Sequence, residues 1–129
     1  MRLAEYQSLS RETEHDLQLQ VTAFLERALP ADVPWSAVDH AAKMSARQGG
    51  QRKARGVKKG QPDYRFILPP NGRSAELELK IKGTYQSPEQ KAWEAATLAA
   101  GGLYLVVRSL PEVQGALAAW GVPLKARAA

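Results

Sequence analysis

The chain is predicted to fold as an α/β layer protein, and two observations along its 129 residues carry that prediction. Segments with apolar residues at helical spacing alternate with short runs of period-two or continuous apolar character. Clusters of Gly, Pro, Ser and Asn separate them. The order reads helix, strand, strand, strand, helix, strand, helix, a mixed arrangement in which helices and a sheet bury one another's apolar faces. The length is that of one domain, and a hydrophobic content of 44% supports a single core. We therefore expect one domain over residues 1–129, with no internal repeat.

The first helix is expected from Ser10 to about Leu29, with Leu17, Val21, Phe24, Leu25 and Ala28 as its apolar stripe. Pro30 and Pro34 end it. Trp35–Val38 reads as a short strand. The stretch from Ala41 to Gln61 is polar and contains Gly49-Gly50, Gly56 and Gly60. It is expected to hold a short helix near Ala41–Gln48 and otherwise to be loop. Tyr64–Leu68 and Ser74–Ile81 are strands joined by Pro69-Pro70-Asn71-Gly72, a strong turn signal. Ser87-Pro88-Glu89-Gln90 opens a helix with Ser at the N-cap, Pro at N1 and Gln at N3. Gly101-Gly102 stops it. Leu103–Val107 is a continuous apolar run, expected to be a buried strand. Ser109 and Glu112 form a second capping pair ahead of a last helix that reaches Trp120.

The formal charge is +5, and its distribution is uneven. Lys43, Arg47, Arg52, Lys53, Arg55, Lys58 and Lys59 fall between Ala41 and Pro62 with no acid among them. The remainder carries eleven basic against thirteen acidic residues, a net −2. A concentrated basic loop at about residues 43–61 on an otherwise balanced domain suits a polyanion, with a merely solvated loop as the alternative. The absence of cysteine excludes disulfides and thiolate metal sites, and fits a cytoplasmic protein. The N-terminal residues lack the apolar core of a secretory signal, and no apolar run approaches membrane-spanning length, so no membrane partner is expected.

The hairpin concentrates the chemistry. Glu76, Glu78, Lys80 and Lys82 alternate with Leu77, Leu79 and Ile81, so they share one face of their strand. In the preceding strand Tyr64, Phe66 and Leu68 are the apolar face. Matching apolar face to apolar face puts Asp63, Arg65 and Ile67 on the side of Glu78 and Lys80. Asp63 then lands opposite either Glu78 or Lys80, since a two-residue register stays open. Carboxylates gathered in this way repel, and a hard divalent cation relieves that repulsion. Such a cation also stabilises charge developing on a phosphate and activates water, while a lysine positions that water. On Glu78-Leu79-Lys80 alone, an exposed Glu–Lys face is the simpler reading. Glu76 has a partner at hand in Arg65, or faces solvent.

The longer pattern shifts that balance. Gly60-Gln61-Pro62-Asp63, Glu78-Leu79-Lys80 and Ser87-Pro88-Glu89-Gln90, with Trp93 and Gly101-Gly102, resemble the VRR-Nuc (virus-type replication-repair nuclease) domains of the PD-(D/E)XK nuclease superfamily. Glu14 matches the acidic residue of the first helix, followed by Gln18, and the resemblance runs from about Glu12 to Val113. It implies an αβββαβ core with a mixed central sheet. It implies metal ligands at Asp63, Glu78 and the Leu79 carbonyl, an accessory ligand at Glu14, Lys80 serving the attacking water, and Gln90 orienting the site. Gln90 has a competing explanation as an N3 capping residue, and Glu14 as a first-turn acid. Asp39-His40 stands where the family often has asparagine. His15 and His40 read as incidental, and Trp35, Trp93 and Trp120 as core anchors.

What the resemblance implies about function is a Mg²⁺- or Mn²⁺-dependent DNA endonuclease with no organic cofactor. Stand-alone members, of phage or bacterial type, resemble junction resolvases, so a homodimer acting on branched DNA is expected. Lys43, Arg47, Arg52, Lys53, Arg55, Lys58 and Lys59 would contact phosphates. The alternative is a non-catalytic nucleic-acid-binding module on the same fold, which would have no need of Asp63, Glu78 and Lys80 together. A small-molecule phosphatase would not need the basic loop.

Overall fold

Thr13, rather than Ser10, sets the start of the first helix. In the computed structural model, which describes residues 12–39 and 46–128, helix α1 spans Glu14–Ala28. The Thr13 side chain accepts from the Asp16 amide at 3.1 Å, and the Asp16 carboxylate accepts from the Thr13 amide at 3.0 Å. This reciprocal box satisfies two of the four donors a helix start leaves open. Hydrogen bonding from the Thr13 side chain, and after it from the Thr13 amide, holds the Asp16 carboxyl below its ordinary pKa. Ser10 lies outside the described residues, as do Lys43 and His40.

Contacts gather the described residues into two units. One comprises α1, residues 79–84, and the C-terminal stretch from residue 107, which includes helix α4 (Leu110–Ala119). Here α1 packs on α4. Leu17, Val21, Phe24, Leu25 and Ala28 of α1 are buried, as are Val113, Ala116 and Leu117 of α4. The stripe expected in α1 is thus the observed one. Ser109 caps α4 by accepting from the Glu112 amide at 3.3 Å. The expected reciprocal bond is replaced by Ser109 Oγ to Glu112 Oε2 at 3.1 Å.

The other unit holds the sheet. Its strands are β1 (Trp35–Ala37), β2 (Tyr64–Leu68), β3 (Arg73–Leu79) and β4 (Leu103–Val107, of which Val107 falls in the first unit). They lie in the order β1-β2-β3-β4, with β1–β2 and β2–β3 antiparallel. Helix α3 (Pro88–Ala99) connects β3 to β4, the crossover that a mixed sheet requires. The fold class is therefore the α/β mixed sheet that the pattern predicts.

The β2–β3 register pairs Tyr64 with Leu77, Arg65 with Glu76 and Phe66 with Ala75. Tyr64, Phe66, Ala75 and Leu77 are fully buried on the shared apolar face. Trp35 and Phe66 flank the Tyr64 ring at centroid distances of 6.2 and 6.5 Å. Trp35, Trp93 and Trp120 are each part-buried. β4 is also less enclosed than its continuous apolar run suggests: Tyr104 is buried while Leu105 is 40% exposed.

The basic segment is not all loop. Helix α2 spans Ala46–Ala54 and runs across Gly49-Gly50, while residues 41–45 of the expected Ala41–Gln48 helix lie outside the described residues. It ends in paired bonds, Gly56 N to Lys53 O at 3.0 Å and Val57 N to Arg52 O at 2.9 Å. Gly56 adopts φ +88° there, the left-handed turn of a Schellman stop. Among the described residues, no helix is long and apolar enough to cross a membrane.

Candidate metal centre

Asp63 is held from both sides before its carboxylate does anything. Its backbone N–H donates to Leu77 O at 3.0 Å, and its C=O accepts from Val38 N–H at 2.8 Å. The chain at the end of β2 is therefore tied to β3 and to the end of β1. Continuing the Tyr64–Leu77 register by one residue puts Asp63 across from Glu78, which closes the choice left open by the sequence. Both residues are buried, Asp63 at 8% exposure and Glu78 at 1%.

Gly60 makes this placement possible. It sits at φ +85°, and a Cβ there would fall 2.5 Å from the backbone carbon and oxygen of Glu89 and 2.9 Å from the Gln90 nitrogen. The loop that leads into Pro62-Asp63 thus rests directly on the first turn of α3. Gly60→Ala combines a disfavoured backbone conformation with overlap against backbone atoms that have no side-chain freedom to yield. It is expected to cost about 3 kcal/mol, read as a lowered urea midpoint. An unchanged midpoint would show that the loop stands clear of α3.

Gln90 performs both roles that the sequence left as alternatives. Its Oε1 accepts from the Ser87 amide at 2.8 Å and its own amide donates to Ser87 Oγ at 3.1 Å, closing the capping box. Because Oε1 is committed to an N–H donor, the other end of the amide is necessarily the NH₂. That Nε2 donates to Glu78 Oε1 at 3.2 Å. The cap thereby orients the side chain that holds the carboxylate. Tyr104 OH donates to the second oxygen, Glu78 Oε2, at 3.3 Å. Burial, and after it the Glu78 charge, pushes the Tyr104 phenol far above its ordinary pKa, so it remains a protonated donor.

Tyr104 was not legible as a site residue within an apolar strand. The available signal was a phenol in an otherwise aliphatic run, since a buried tyrosine hydroxyl needs a partner. Glu76 is not solvent-facing: it is 2% exposed and accepts from Arg65, Trp93 and Thr97. The polar face of β3 is covered by α3.

Lys80 follows directly after β3, is 8% exposed, and its amide donates to Val107 O at 3.0 Å. Buried Leu79 separates it from Glu78. The turn beyond is fixed by Arg108, whose Nη1 donates to the carbonyls of Ile81 and Thr84 at 2.8 Å each. Lys82 is exposed, as is His15. Glu14 is the first residue of α1 and half-buried. One carboxylate oxygen of Asp63 and one of Glu78 lie within 4.8 Å of each other, a pair that could take part in holding a metal ion. Both are hard oxygen donors, the kind that Mg²⁺ or Mn²⁺ takes, so the residues fit such an ion.

Arg52, Lys53, Lys58 and Lys59, with Gly60 and Gln61, line a cleft of about 630 Å³. Asp39 is at its edge, 3.9 Å from Arg52. Arg47 and Arg55 are exposed outside it.

No protein-family model matches the sequence, and no curated protein is similar enough to match. Two solved structures share the fold. One, described as a VRR_NUC domain protein, aligns over 86% of this chain and 89% of its own with a TM-score of 0.70 and 19% identity. The other, a VRR_NUC domain, aligns over 81% and 94% with a TM-score of 0.53 and 19% identity.

Proposed function

From a fold shared with VRR_NUC domain proteins, we propose that this chain is a Mg²⁺- or Mn²⁺-dependent DNA endonuclease that cuts branched DNA, acting as a homodimer. The observation that carries the reading is the convergence of the buried Asp63 and Glu78 carboxylates. A cluster of anions in a largely buried position calls for a cation, and the sequence directly supplies a lysine two residues beyond Glu78.

In this reading Asp63 and Glu78 hold the ion, with the Leu79 carbonyl as a further ligand and Glu14 as an accessory one. When bound, the ion supplies charge stabilisation for the phosphate and activation of water. Gln90 and Tyr104 fix the direction of the Glu78 carboxylate by donating to each of its oxygens. The Lys80 ammonium, on a short tether from Glu78, positions the attacking water and offsets charge on the phosphate oxygens in the transition state. A twofold pair of such sites would suit two strands of a near-symmetric junction.

Arg52, Lys53, Lys58 and Lys59 of the basic cleft, together with Lys43, Arg47 and Arg55, would grip phosphates without reading sequence. Neutralising Arg52, Lys53 and Arg55 together is expected to weaken DNA binding. It should also flatten the logarithmic salt dependence by about 2 to 3 units, close to one per charge removed. An unchanged slope would remove this segment from the DNA contact.

A cleavage panel of four-way junction, flap, duplex and single-stranded DNA with Mg²⁺ tests substrate and activity together. Preferential cutting of branched forms is expected. Binding without cutting of any form, in Mg²⁺ or Mn²⁺, would instead support a non-catalytic binding module.

A further inference from the structure

Glu76 lies outside the motif, yet it is the hub of the contact between α3 and β3. Its Oε2 accepts from Arg65 Nε at 3.0 Å and Nη2 at 2.9 Å. Its Oε1 accepts from Thr97 Oγ1 at 2.7 Å and Trp93 Nε1 at 3.1 Å. The Arg65 guanidinium carbon also lies 6.0 Å from the centre of the Trp93 ring. Gln90, Trp93 and Thr97 are spaced by three and four, so they share one face of α3. Glu76 and Glu78 are two apart, so they share one face of β3, separated by roughly 7 Å. Helix and strand are therefore pinned at two points, Gln90 on Glu78 and Trp93 with Thr97 on Glu76. A single point would leave the helix free to pivot. Two fix its rotation and its position along the strand.

We propose that Glu76 is a positioning residue for the metal-binding carboxylate: by gripping Trp93 and Thr97 it holds α3 in place, and with it the Gln90 amide that fixes Glu78. This rests on the reading of Glu78 as a metal ligand. Holding a helix to a sheet does not by itself demand a buried ion pair, because apolar residues of similar volume often do so at no loss of stability. What the polar network adds is direction, since hydrogen bonds to both oxygens of Glu76 allow one register of helix on strand.

The test uses Mn²⁺ alone as probe, with the full chain and no DNA, and follows free Mn²⁺ by electron paramagnetic resonance. Thr97→Val removes one donor to Glu76 at nearly constant shape. It is expected to weaken Mn²⁺ binding by roughly 3- to 10-fold, less than or equal to the loss typical of a direct outer-shell partner. In a Gln90→Ala background the same substitution should have little further effect, because its route to the metal has been removed. NMR relaxation of the Gln90 side-chain amide should show greater motion in Thr97→Val than in the unchanged protein. A variant with a lowered melting temperature but unaltered Mn²⁺ affinity and an equally ordered Gln90 amide would overturn the proposal. So would a Thr97→Val effect that adds in full to that of Gln90→Ala. If the unchanged chain binds no Mn²⁺, the metal reading of Glu78 itself fails, and this inference falls with it.

Discussion

Glu78→Gln is expected to reduce DNA cleavage by at least about 10³-fold while leaving the chain folded. The substitution preserves volume at a position only 1% exposed, so no cavity forms. It removes the charge that would bind the ion. It also introduces an NH₂ group where Gln90 Nε2 and Tyr104 OH both donate, so one of those two donors must lose its acceptor. Mn²⁺ binding should fall together with activity, and the melting temperature should drop by a few degrees, as when one buried hydrogen bond is lost. Cleavage at the normal rate would remove Glu78 from the metal site. A drop in activity with full metal affinity would assign it a different role.

Lys80→Met tests the water-positioning role proposed for Lys80 apart from metal binding. Methionine keeps the length and much of the volume of the side chain, and the Lys80 amide bond to Val107 O is a backbone contact that the substitution leaves in place. Metal binding should therefore persist, while cleavage falls by about 10²- to 10⁴-fold, the range for losing a positioned acid–base or charge-stabilising group. Junction binding should be little changed, because the chain's excess of positive charge lies in the segment around α2, with a net −2 elsewhere. Normal cutting by Lys80→Met would refute the role given to Lys80.

The parts of this site that the sequence made legible are those controlled by local pattern. The alternation in β3 and the apolar face of β2 fixed which side Asp63 and Glu78 share. The capping box at Ser87 and Gln90 located the start of α3 to the residue. The register was not legible, because a loop such as Pro69-Pro70-Asn71-Gly72 permits more than one pairing, and only the observed Tyr64–Leu77 pair sets Asp63 across from Glu78. The tertiary cover was also hidden. Trp93 and Thr97 are ordinary helix residues until α3 is laid on β3, where they bury Glu76, whose pairing with Arg65 was one of the two readings the sequence allowed. Tyr104 was concealed in the same way by the apolar strand around it.

Local propensity misled in two places. Gly49 and Gly50 argue against a helix, yet α2 runs through them. Its helical identity therefore comes from context rather than from residue preference. Ser10 looked like the helix start, but Thr13 has the reciprocal partner, Asp16, at the right distance. Gly60 shows the opposite case, a residue that the motif marked and whose physical reason is visible only in three dimensions. It must lack a side chain because α3 passes too close.

The most direct test is single-turnover cleavage of a four-way DNA junction by the unchanged protein and by Glu78→Gln, each with Mg²⁺ and with excess chelator. Cutting by the unchanged protein in Mg²⁺, and in none of the other three conditions, is the predicted result. Cutting that survives the chelator or the loss of Glu78 would contradict a metal-dependent centre built on Asp63 and Glu78.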